Sequence, residues 1–154
     1  MTLPPLPDSA IVLGAYAEDW RAAVRLAGSA LAASGAAKPA YADEMIRMID
    51  EHGPYVVIAP GLALAHARPG PAVIADGLAV VTLAKPVSFG HPHNDPVSVV
   101  IGLAIERSDV HLASVADLAN VFNDSSAIPA LRDAKSIDDV RAIFGSSRTM
   151  GEQQ

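Results

Sequence analysis

Apolar positions along the chain fall into two patterns, short unbroken runs and stripes at helical spacing, and their alternation predicts an α/β domain. Residues 11–13 are a short strand candidate. Trp20, Val24, Ala27 and Leu31 then recur on one helix face until Gly35 stops the helix. A second stripe of Tyr41, Met45 and Ile49 predicts a helix whose opposite face carries Asp43, Glu44, Arg47, Asp50 and Glu51, and Gly53-Pro54 ends it. Residues 55–59, 77–83 and 97–105 are continuous apolar runs bounded by Pro or Gly, the pattern of buried strands. Polar residues do not alternate along them, so both faces of the sheet need cover. Ser108 is placed to cap a helix with Leu112, Val115, Ala116, Ala119 and Phe122 on its core face. A last short helix starts at Ser136, with Asp139 three residues on as in a capping box, and is expected to end by Gly145.

Length and composition narrow the class. The 154 residues suit one domain with a full core, read as residues 11–145 between a loose lead, 1–10, and a loose tail, 146–154. With 51% apolar and 18% charged residues the chain is too apolar for disorder. No stretch reaches the roughly 18 consecutive apolar residues of a membrane span. The net charge of −6, with 11 Lys and Arg that form no run, excludes nucleic acid as a partner. Absence of Cys excludes disulfides, thiolate catalysis and Cys-based zinc sites. Residues 1–8 show neither the basic nor the apolar region of a signal peptide, so a cytoplasmic location is the default expectation.

Candidate chemistry lies with the few polar groups left in apolar surroundings. His66 follows the segment Ile58-Ala-Pro-Gly-Leu-Ala-Leu-Ala65, read as a strand that runs through a Pro-Gly turn into an apolar loop. A lone histidine in such a place is ordinarily a core or loop residue. Two neighbours alter that reading: Arg68 can counter a bound dianion, and His111 falls in the first turn of the helix from Ser108, where unpaired N–H groups favour an anion. Together the three residues would form a phosphate site, although spacing alone does not bring the two histidines together.

These residues carry a resemblance. Pro60-Gly-Leu-Ala-Leu-Ala-His66 and His111-Leu112 resemble the active-site segments of the IIA domains of the bacterial sugar phosphotransferase system, mannitol and fructose class (type 2). The likeness is nearest to the ascorbate-type subgroup, through Gly53-Pro-Tyr-Val-Val-Ile-Ala-Pro-Gly-Leu-Ala63, His66-Ala-Arg-Pro69, Val81-Thr-Leu-Ala-Lys-Pro-Val87 and Asn94-Asp-Pro-Val97, in that order. The chain departs from the pattern at Ala65, where the family usually has Pro, and at Met48, which aligns with an Arg of mannitol-type members.

The resemblance implies a single-domain, three-layer α/β/α fold with a mixed β-sheet between helical layers. It implies that His66 takes a phosphoryl group from the histidine-phosphocarrier protein HPr and passes it to a IIB component, serving sugar uptake through a membrane IIC component. His66 would be the nucleophile, His111 would hold a phosphate oxygen or orient the ring, and Arg68 would offset charge. Neutral imidazole suits such a transfer because its ring nitrogen can attack phosphorus and later leave, and the chemistry calls for no cofactor and no metal. Ascorbate is the sugar the subgroup suggests, yet the sugar is bound by the membrane component and not by this chain. An alternative of another class is a regulatory module whose phosphorylation state controls a partner protein. A homodimer is compatible with either.

A second constellation, His91-Pro-His93-Asn-Asp95, has His-x-His with a nearby carboxylate and could supply three metal ligands. In a Pro-rich turn the pair is more often exposed surface, and Asn94 and Asp95 read first as a turn before the strand at Val97. His52 at the end of the second helix is explained by favourable charge at a helix C-terminus. Neither a phosphate-binding Gly-x-x-x-x-Gly-Lys-Ser/Thr loop nor a dinucleotide fingerprint is present.

Overall fold

The computed structural model describes residues 3–124 and 126–152, with the side chains of Ser108, His111, Leu112 and residues 145–152 outside that description. After a single 3-10 turn at Asp8–Ala10, the elements are β1 (Ile11–Ala15), α1 (Trp20–Ala33), α2 (Ala40–His52), β2 (Val57–Ala59), β3 (Leu62–His66), β4 (Gly77–Val87), β5 (Val97–Ala104), α3 (Ser108–Val121), α4 (Ala127–Arg132) and α5 (Ile137–Glu152). One mixed sheet runs in the order β1-β4-β5-β3-β2. Strand β1 is parallel to β4 and β3 to β5, whereas β4–β5 and β2–β3 are antiparallel.

Alternation along the strands divides the core in two, because successive side chains point to opposite faces. Ala63, Ala65, Ala79, Val81 and Val100 face α1 and α2, whose Val24, Ala27, Leu31, Tyr41 and Met45 complete one cluster. Leu62, Leu64, Leu78, Val80, Val99, Ile101 and Leu103 face the other way, onto Leu118, Val121, Phe122, Leu131, Val140 and Phe144 of α3 to α5. The result is the expected three-layer arrangement with helices on both faces.

Side-chain size differs between the two faces, and that sets how closely the helices approach. On the α1 face the strands present mainly small residues: a Cβ at Gly102 would lie 3.3 Å from Ala27 Cβ and 3.2 Å from Leu31 Cδ1. The α1–α2 contact is tighter, since a Cβ at Gly28 would stand 2.6 Å from Ala42 Cβ. Glycine at 28 therefore lets the two helix backbones meet.

Several boundaries differ from the sequence expectations for identifiable reasons. The segment before His66, read as a loop, is strand β3. Gly61, at φ 81°, turns β2 back on itself, so that one apolar run becomes an antiparallel hairpin. Strand β4 continues to Val87. Helix α3 already includes Ser108; the residue in the capping position is Arg107, with extended backbone and no side-chain cap bond. Helix α5 runs past Gly145 to Glu152, and at its start the Asp139 amide donates to Ser136 Oγ. The lead is engaged as well: the Leu78 amide donates to the Pro5 carbonyl (2.8 Å), Leu3 and Leu6 pack on the core, and Asp8 pairs with Arg141. Among the described residues no helix is long and apolar enough to cross a membrane.

Candidate active site

His66 is the last residue of β3 and the last of its ladder with β5, where it stands opposite Leu103. Both sides of β3 are held by main-chain bonds. The Leu64 amide donates to the Val56 carbonyl (2.8 Å), and the Gly61 carbonyl accepts from the amides of Ser98 and Val99. Residues 62 to 66 pair one by one with 99 to 103, Ala65 opposite Gly102. This ladder fixes the backbone leading to His66.

Strand alternation gives His66 the same face as Leu62 and Leu64, the face covered by α3. Its imidazole is half-buried, and Nδ1 lies 2.8 Å from the Leu64 carbonyl oxygen. A carbonyl oxygen only accepts, so Nδ1 carries the hydrogen and the lone pair of the neutral ring resides on Nε2.

Two tyrosines surround this strand end, and neither stood out in the sequence as part of a site. Tyr41 of α2 is 1% exposed. Its hydroxyl accepts from the Ala67 amide (3.0 Å) and lies 2.7 Å from the Leu103 carbonyl, to which it donates. It thereby ties together the ends of β3 and β5 where the ladder stops. Burial pushes its phenol up to about 12, with the Ala67 hydrogen bond opposing in part. Tyr55 stands edge-on to the His66 imidazole, ring centres 5.5 Å apart and planes at 85°, and donates to the His66 carbonyl (3.3 Å). Burial raises its phenol also, partly offset by the positive charge of Arg68. A buried tyrosine at helical spacing reads as core, and only the tertiary fold shows where its hydroxyl ends.

Arg68 is exposed two residues beyond His66 and close enough to Tyr55 to act on it electrostatically. Among the described residues no carboxylate forms an ion pair with it. His111 is the fourth residue of α3, one place further into the helix than a Ser108 cap would put it; its side chain lies outside the described residues. The loop before α3 is fixed by the Glu106 amide donating to Asp76 Oδ1 (2.9 Å). Met48 is partly buried against the α1–α2 core and Arg47 is exposed.

The His91-to-Asp95 loop is organised around itself. Asp95 accepts from Ser88 Oγ and from the amides of Phe89, Gly90 and His91. Burial raises its carboxyl, and the four hydrogen bonds together outweigh that and hold it below the usual value. His91 Nδ1 accepts from the amides of His93 and Asn94. Both groups are therefore spent on holding the turn, as the simpler reading expects, and the described residues contain no cluster of three or more metal-ligating side chains.

The sequence pattern described as "Phosphoenolpyruvate-dependent sugar phosphotransferase system, EIIA 2" matches residues 5–147. The ascorbate-specific PTS system EIIA component of Shigella boydii serotype 4 is 36% identical over 134 residues, 86% of this chain and 87% of its own. A PTS IIA protein (PtxA) of Streptococcus mutans superposes with a TM-score of 0.83 at 34% identity, covering 91% of this chain and 89% of its own. The mannitol enzyme IIA of Escherichia coli, solved in complex with phosphorylated enzyme IIB, gives 0.82 at 26% identity over 92% and 98% of the two chains. The chain belongs to the EIIA 2 family of the phosphoenolpyruvate-dependent sugar phosphotransferase system.

Proposed function

We propose that this protein is the phosphocarrier between phospho-HPr and a IIB component, and that Nε2 of His66 bears the phosphoryl group. The observation that carries the reading is the 2.8 Å contact of Nδ1 with the Leu64 carbonyl, which leaves Nε2 as the nucleophile. Nε2 bonds to phosphorus as the phosphorus–nitrogen bond of the donor's phosphohistidine breaks, and that electron pair stays on the donor nitrogen. The phosphorylated His66 ring is then cationic, and its Nδ1–H remains on the Leu64 oxygen. In the second transfer the acceptor nucleophile of IIB bonds to phosphorus and the pair returns to Nε2. Such a reaction needs alignment and charge compensation more than covalent assistance.

Arg68 offsets the phosphate charge from the exposed side. His111, at the start of α3 over the same face of the sheet, donates a hydrogen bond to a phosphate oxygen. The IIB acceptor is supported by the mannitol relative, which is known in complex with its phosphorylated IIB. Ascorbate as the transported sugar is supported by the specificity of the Shigella relative.

Incubation with enzyme I, HPr and phosphoenolpyruvate tests the reading. The wild type takes up one acid-labile phosphate and passes it to its IIB; His66→Ala takes up none. Undiminished labelling of His66→Ala would move the site elsewhere.

A further inference from the structure

We propose that a cavity at the opposite end of β3 from His66 binds a small uncharged polyhydroxylated molecule, at a site separate from the phosphocarrier chemistry. The cavity, of about 540 Å³, lies between the β2–β3 turn, the segment leading into β5, and helices α3 and α4. That volume is within the range of small-molecule sites. Gly61, the turn residue before β3, forms part of its wall, and about 16 Å of extended chain separates it from His66.

Ser98 is the residue on which this site turns. It lines the cavity at 8% exposure, and among the described residues its hydroxyl has no hydrogen-bond partner. Its amide is satisfied by the Gly61 carbonyl (2.9 Å), so only the side chain is left open. A buried hydroxyl without a partner costs stability that Ala would not. Further capacity borders it: among the described residues the side-chain carbonyls of Asn94 and Asn123 accept no bond, and their amide groups make only 3.4 Å contacts, with the Val57 carbonyl and Asn120 Oδ1. The charges that border the cavity are compensated. Asp95 accepts from Ser88 Oγ and three amides, and Arg132 meets Asp133 through Nε and Nη2. What remains is a set of mixed donors and acceptors, which suits hydroxyl groups better than a full charge. Phe122, Ile128, Pro60, Pro96 and Pro129 add an apolar wall for the C–H face of such a molecule, and the prolines stiffen it before any ligand arrives.

The test titrates the 15N-labelled full chain with D-mannitol and D-glucose, and with D-glucuronate as the anionic counterpart of glucose, while following the amides of Gly61, Ser98, Asn123 and Ala67. At least one of the two uncharged probes is expected to shift the first three saturably, with half-saturation at about 1 mM, and to leave Ala67, beside His66, in place. In Ser98→Ala half-saturation rises about three- to tenfold, while the thermal midpoint stays at or above that of wild type because an unpaired buried hydroxyl has been removed. His66→Ala binds as wild type does, so the result stands whether or not the chain carries phosphate. No saturable shift with either uncharged probe, an equal response in Ser98→Ala, or tighter binding of glucuronate than of glucose overturns the proposal. A lowered midpoint in Ser98→Ala would show the hydroxyl to be paired within the protein, and loss of binding in His66→Ala would place the ligand at the histidine; either overturns it as well.

Discussion

Tyr41, on helix α2, holds the amide of Ala67 through a buried hydroxyl 3.0 Å away, one residue beyond the strand that ends in His66. The same oxygen reaches Leu103, the ladder partner of His66. Helix α2 thus holds the main chain at the end of the strand that carries His66. Tyr41→Phe strands one buried donor and one buried acceptor. The expected cost is about 2 kcal/mol, or about 4–8 °C in Tm for a domain of this size. Single-turnover phosphoryl transfer is expected to slow by about two- to tenfold. A Tm within about 1 °C of wild type in calorimetry would show the bridge to be unimportant.

The same phenol imposes an alkaline limit. The fold favours its neutral form, raising it from 10.0 to about 12, so its contribution is fully present below pH 10 and is lost as pH rises toward 12. Denaturant unfolding at stepped pH checks this. Above pH 10 the stability advantage of wild type over Tyr41→Phe shrinks, where an unperturbed phenol would leave it constant.

Gly28→Ala places a methyl 2.6 Å from Ala42 Cβ, next to Tyr41. The helices must separate, at about 1–3 kcal/mol, and the Tyr41 hydroxyl moves with α2. Lower Tm together with slower transfer is the expected pair of results. An unchanged Tm would mean that α1 and α2 have room to spare.

Asp95 acts in the opposite pH direction. Its carboxyl is held below the ordinary 3.8, so the stability it adds is present above that value and disappears as pH falls through its lower folded value. Asp95→Asn is therefore less stable than wild type at pH 7, and the gap closes below about pH 4. Parallel acid titrations of the two proteins, followed by Tm, measure it. A gap that persists unchanged at pH 2 would remove the charged carboxylate as its source.

His111→Ala and Arg68→Ala are expected to keep the fold and to slow phosphate uptake by about 10- to 100-fold without abolishing it, because each leaves Nε2 of His66 in place. Rapid-quench kinetics with labelled phospho-HPr distinguishes them from His66→Ala. A rate for His111→Ala within twofold of wild type would leave the phosphate to Arg68 and the backbone.

Much of this molecule was legible before folding. Helices α1 and α2 announce themselves because Val24, Ala27 and Leu31, then Tyr41, Met45 and Ile49, repeat at the period of one buried face. Strands β4 and β5 show as long apolar runs. Strand β3 did not, since four apolar residues behind Pro60-Gly61 look the same whether they pair or wander, and pairing is decided by β5 far along the chain. The resemblance that singles out His66 was readable from the segment around it. The supports of His66 were not: the Tyr41 hydroxyl spans from α2 to both Ala67 and Leu103, and the edge of Tyr55 meets His66 only because the β2–β3 hairpin folds back. Such contacts depend on three elements at once and leave no periodic trace.

Placement of His66 at the end of a strand paired along its whole length with β5 bears on the kinetics of opening. Amides of β3 and β5, buried and bonded along the whole ladder, belong to the part of a domain that exchanges hydrogen with solvent only through global unfolding. His66 is therefore anchored to that unit, while Arg68 two residues on is exposed. On the phosphocarrier reading proposed above, the imidazole keeps one place in the sheet whichever partner it meets.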